Sequence, residues 1–133
     1  MNLNYFSSPT LEKECTVDSI ASKLTYFHAQ IHLQHWQTRS YARHQALGSL
    51  YEYIQDFKDE LVEKVMGYTD KRPTAFIIPP LTETTPEDTV NEMLMYASKL
   101  KKFGEMNDYH DVCNLADSFS GMVAKTKYLL SLG

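Results

Sequence analysis

Long apolar runs, paired cysteines and concentrated positive charge are all missing from this sequence. No stretch approaches the roughly 20 consecutive apolar residues that a bilayer-spanning helix needs. Residues 1–10 have neither the basic start nor the apolar run of a secretory leader. The chain is therefore expected to be soluble and cytoplasmic, with no membrane partner. Only Cys15 and Cys113 occur, without Cys-x-x-Cys spacing, so a structural disulfide is not expected and both thiols suit core-side positions in a reducing compartment. The 13 Lys and Arg are scattered along a chain of formal net charge -4. With no basic stripe or tail to meet a phosphate backbone, nucleic acid is not the expected partner. Internal repeats and low-complexity segments are absent as well.

What remains is an ordinary globular balance, 43% hydrophobic and 23% charged over 133 residues, which predicts a single domain over residues 1–133. Its periodicity is helical. Residues 11–38 carry Val17, Ile20, Leu24, Phe27, Ile31 and Gln34 or His35 at three- and four-residue steps, with Thr10 as a weak cap. A second helix is predicted from Ser40, its stripe formed by Leu47, Leu50, Ile54, Phe57, Leu61 and Val65, with Gly67 as its stop. So short a connection makes these two helices an antiparallel hairpin. A third begins at Thr85-Pro86-Glu87-Asp88, where a hydroxyl cap, a proline at the first position and early acids coincide. Its stripe is Val90, Met93, Leu94, Ala97, Leu100 and Phe103, and Gly104 is the expected stop. A fourth covers residues 107–130 through Tyr109, Val112, Ala116, Phe119, Val123, Thr126 and Leu130.

Residues 68–85 hold three prolines, Pro73, Pro79 and Pro80, with Pro86 just beyond, and cannot continue a helix. Extended at about 3.3 Å per residue, they reach the length of the helix before them, so the third helix can start at the far end. Two hairpins joined by one long crossover between helices 2 and 3 predict an all-α, ferritin-like antiparallel four-helix bundle.

Four of the five histidines cluster at the first hairpin. His28, His32 and His35 share one face of the first helix, and His44 lies in the first turns of the second. Farther along, Glu52, Asp56, Asp59 and Glu63 make an acidic flank. Imidazole nitrogen with carboxylate oxygen suits Fe, Mn or Zn. The plain alternatives are a solvated acidic face and a packed histidine group. Trp36, Tyr41, Tyr51 and Tyr53 read as packing groups, and His110 as structural or exposed.

The run His35-Trp36-Gln37-Thr38-Arg39-Ser40, followed by Tyr41, His44, Leu50-Tyr51-Glu52, Asp59 and Glu63, resembles the first hairpin of the miniferritins, the DNA-binding proteins from starved cells. Phage-encoded ferritin-like proteins look like trimmed versions of the same hairpin. The resemblance implies a ferroxidase site shared between two subunits, with His35 and His44 from one chain and Asp59 and Glu63 from the other, and His32 as the substitute for His35. It also implies a homo-oligomer built through the first hairpin, with iron, or Zn or Mn, as the bound metal. The chain departs from that pattern at Gly48, where the family commonly has another acid, in lacking a basic tail, and in the proline-rich crossover.

Two functions follow as expectations: a metal-binding oxidoreductase handling Fe(II), or a non-enzymatic helical assembly protein that keeps the fold alone. An intrasubunit di-iron centre built on Glu-x-x-His pairs is a weaker choice, because no Glu stands three residues before any histidine. Zinc held by His28, His32 and His35 would be a structural bridge.

Overall fold

The computed structural model describes residues 15–133, and over them the chain is all-helical, with four helices and no strand. These are α1 (Val17–Gln37), α2 (Tyr41–Thr69), α3 (Pro86–Asn107) and α4 (His110–Ser131).

Local chemistry sets three of the four starts. Thr16 caps α1 in a reciprocal box with Ser19, each side chain bonding the other's backbone N–H at about 3 Å. The predicted start near residue 11 is thus corrected to Val17, and the cap at Thr10 lies outside the described residues. Ser40 caps α2 through the Arg43 N–H, and Thr85 caps α3 through the Asp88 N–H with Pro86 in the first turn, both as expected. The stops differ. Gly67 and Gly104 lie inside their helices, which end instead on Asp70 and Asp108, each left-handed at φ 57°. A short acidic side chain enters that conformation more readily than most non-glycine residues do. Gly104 has another use: a Cβ there would lie 2.7 Å from Cys113 Sγ and 3.1 Å from the Cys113 backbone nitrogen, so its bare Cα lets α3 and α4 touch. Tyr109 stands at the N-cap position of α4 without a side-chain capping bond, and the helix begins at His110 rather than at residue 107.

The stripes read from the sequence form one core. Ile20, Leu24, Phe27, Ile31, Leu50, Ile54, Leu61, Met93, Leu100, Phe119 and Val123 are all fully buried. Side chains of this size each contribute about 1.5–3 kcal/mol on burial. Leu94 and Tyr109 are only half-buried. At the ambiguous end of α1, Gln34 is the buried residue and His35 lies at the margin. Cys15 is buried, Cys113 half-buried, and no disulfide joins them.

The helices meet pairwise. α1 lies on α2 and α3, and α4 lies on α3 and α2. Arg43, at the start of α2, donates to both carboxylate oxygens of Glu87 at 2.9 Å and to the Leu130 carbonyl at the end of α4, tying three helix ends together. Its guanidinium holds the Glu87 carboxyl below the usual carboxylate range, and Glu87 in turn raises Arg43. At the other end Lys64 of α2 pairs with Asp111 of α4.

Residues 70–85 are non-helical, two residues shorter than expected because Tyr68 and Thr69 remain in α2. They form a strap along α1. Thr74 bonds to Asp18, the Ile77 carbonyl accepts from Ser22, and Thr82 exchanges two bonds with the buried Gln30 side chain at 2.9 and 3.0 Å. Gln34 then donates to the Thr84 carbonyl, and Gln37 to Glu83. A segment without its own ladder thus has its polar groups bound by helix side chains. Among the described residues, no helix is long and apolar enough to cross a membrane.

Candidate metal-binding hairpin

The α1–α2 turn brings His35 and His44 together. Their rings stack with centroids 3.8 Å apart and planes 17° from parallel. Each ring also bonds the other's backbone: His35 Nδ1 lies 2.8 Å from the His44 carbonyl and His44 Nδ1 lies 2.9 Å from the His35 carbonyl. A carbonyl only accepts, so both Nδ1 atoms carry a proton, and the lone pair of either ring in its neutral form is on Nε2. Backbone-oriented Nδ1–H is the usual way a ligating imidazole is held.

Gly48, one turn beyond His44, makes this possible. A Cβ there would come within 2.9 Å of His35 Cε1, so the ring occupies the space a side chain would need. Sequence reasoning placed Gly48 only as a missing acid. Its signal was the absence of a side chain at helical spacing from His44.

His32 is held differently, between Trp36 at 3.8 Å and Tyr51 at 3.9 Å, 6.1 Å from the His35 ring. Tyr51 also stacks on His28 at 4.2 Å. Burial is the main reason the His28 proton affinity is lowered, helped by the Lys58 ammonium 3.5 Å from Nδ1 and by His32. Its shielded Nε2 has no partner among the described residues. His110 stands exposed at the start of α4, away from this cluster.

Asp59 and Glu63 are exposed on α2, as are Glu52 and Asp56, and none of the four makes an ion pair among the described residues. With Gln55, Lys58, Glu60 and Lys64, the acids Asp56, Asp59 and Glu63 line an open groove on that helix. Asp59 stands fifteen residues along α2 from His44, about 22 Å at helical rise. One chain therefore cannot gather both halves of the predicted set, and no group of three or more His, Cys, Asp or Glu among the described residues is placed to hold a metal.

The class defined by these observations is an all-helical protein with a histidine-locked first hairpin. The chain belongs to a family of unknown function (DUF5856), whose model matches residues 35–130, from the first locked histidine through α4. It is also 30% identical, over 90% of its own length and 91% of the relative's, to an uncharacterized 14.6 kDa protein in the mobD-ri intergenic region of Enterobacteria phage T4. No solved structure matches it.

Proposed function

We propose that this chain is a ferritin-like, metal-binding protein in which two copies pair through their first hairpins. His35 and His44 of one copy then face Asp59 and Glu63 of the other, and Fe(II) is the substrate, losing one electron to oxygen or peroxide. The observation that carries this reading is the reciprocal histidine lock, which presents two Nε2 lone pairs from a rigid turn. Two nitrogens and two carboxylates form a mixed donor set of the kind iron uses. The carboxylates are exposed and unpaired, as ligands awaiting a second chain must be. An antiparallel approach of two α2 helices that brings His44 near Asp59 and Glu63 repeats the same contact on the other side of the two-fold, so one pairing builds two sites.

The helix contacts support the ferritin-like connectivity. The strap leaves the end of α2, follows α1 and delivers the chain to the start of α3 beside Arg43, as one long crossover between two hairpins requires.

Asp59→Asn with Glu63→Gln is the clean test, because neither side chain has a structural bond to lose. Anaerobic Fe(II) followed by oxidant should give ferric absorbance in the parent protein and none beyond the buffer rate in the variant. Equal traces for the two would refute the site. His44→Ala should also abolish the signal, but it removes the lock as well.

A second reading, a non-enzymatic helical assembly protein, is favoured by the fact that each Nδ1 bond closes the turn without any metal. Under it, melting is unchanged by Fe, Mn or Zn, whereas a native-state ligand must stabilise.

A further inference from the structure

We propose that residues 72–83 form a second docking surface, on which another copy of this chain pairs strap against strap about a two-fold axis. Of the eleven exposed large hydrophobics among the described residues, four, Phe76, Ile77, Ile78 and Leu81, fall within six positions of the strap. Ile77 is 89% exposed, and Pro79 and Pro80 beside it are exposed too. The cause lies in the strap's attachment. Its bonds to α1 run through Thr74, the Ile77 carbonyl, Thr82 and Thr84, leaving Ile77 in solvent and Phe76, Ile78 and Leu81 each with about 40% of their surface uncovered. Single exposed apolar residues are ordinary, but a contiguous group at this density marks a contact surface.

Charge selects the occupant. Lys71 and Arg72 lie exposed at one end of the strap and Glu83 at the other, and none of them makes an ion pair among the described residues. Glu83 accepts only from the neutral Gln37 amide. A two-fold through the Ile77–Ile78 peptide sets Ile77 against Ile78 of the second copy, Phe76 against Pro79, and Arg72 against Glu83. A parallel approach would set Arg72 against Arg72. The surface is therefore complementary to itself in the antiparallel sense only, which is the requirement for an isologous contact. Proline has no N–H, so a β-ladder cannot continue through residues 79 and 80, and side chains carry the contact.

The strap side of α1, marked by Gln30, Gln34 and Gln37, lies across the helix from His28, His32 and His35. This surface is thus independent of the hairpin pairing and of its metal chemistry. Where both two-folds operate, assembly proceeds beyond a dimer.

The test is the mass of the full chain in solution, by sedimentation across a concentration series, with circular dichroism to verify folding. Ile77→Asp, Arg72→Glu and Glu83→Arg should each weaken association by about tenfold or more through unpaired or like charge at the contact. The double reversal Arg72→Glu with Glu83→Arg should restore it. A parent chain that stays monomeric, an unchanged mass for Ile77→Asp, or a double reversal no better than either single change would overturn the proposal. The acid variant Asp59→Asn with Glu63→Gln separates the two surfaces: it should leave the strap contact intact, and the strap variants should retain whatever Fe(II) oxidation the parent has.

Discussion

Replacing Gly48 with alanine should destabilise the protein, although the same change elsewhere on a helix should stabilise it. In a helix interior glycine costs about 0.5–1 kcal/mol relative to alanine, and Gly121 of α4, with no atom within 4 Å of a built Cβ, should return that gain in full. At Gly48 the added methyl would lie 2.9 Å from His35 Cε1 and 3.2 Å from Nδ1. The ring is already stacked on His44 at 3.8 Å and tethered through Nδ1, so it can move only by giving up those contacts. One hydrogen bond at about 0.5–1.5 kcal/mol and one ring stack at about 0.5–1.5 kcal/mol outweigh the helix gain. The expected net loss is about 0.5–2 kcal/mol, against a gain of about 0.5–1 kcal/mol for Gly121→Ala. Urea unfolding followed by circular dichroism, at one fixed protein concentration so that association does not enter, measures both. In a His35→Ala background the sign at Gly48 should reverse, because the obstructing ring is gone. A Gly48→Ala variant as stable as the parent would mean that the histidine lock does not hold His35 in place.

Two further perturbations probe the same hairpin and the strap. His28 binds its proton less readily when folded than its ordinary value of 6.5 implies, so below that pH the unfolded chain holds more protons and stability falls as pH drops from 6.5 through the lower folded value. His28→Phe keeps a ring on Tyr51 and should flatten the pH dependence of unfolding just below pH 6.5; an unchanged slope would show that His28 is not the group responsible. Gln30→Leu preserves volume but strands the Thr82 N–H and carbonyl, and should cost about 1 kcal/mol. Amide exchange at Thr82 should accelerate, and undiminished protection there would refute the role given to Gln30.

The order and faces of the helices were legible along the chain because amphipathic periodicity is a local property. The stripes through Leu50, Ile54 and Leu61, or Leu100 and Phe119, repeat every three to four residues, and burying them is the dominant favourable term. The caps Ser40 and Thr85 were legible for the same reason, each satisfying an N–H three residues away. Helix ends were not: Gly67 and Gly104 carry the composition of a stop, yet neighbouring turns decided otherwise, and Gly104 was needed where α3 meets α4. Among the candidate ligands, helical spacing alone placed His28, His32 and His35 on one face of α1 and Asp59 and Glu63 together far along α2. That His35 and His44 would stack and exchange backbone bonds, that Gly48 would make room for them, and that Gln30 would clamp the strap depended on side chains many residues apart arriving at one place. Those contacts come from the packing of one helix against another, which periodicity along a single helix does not encode.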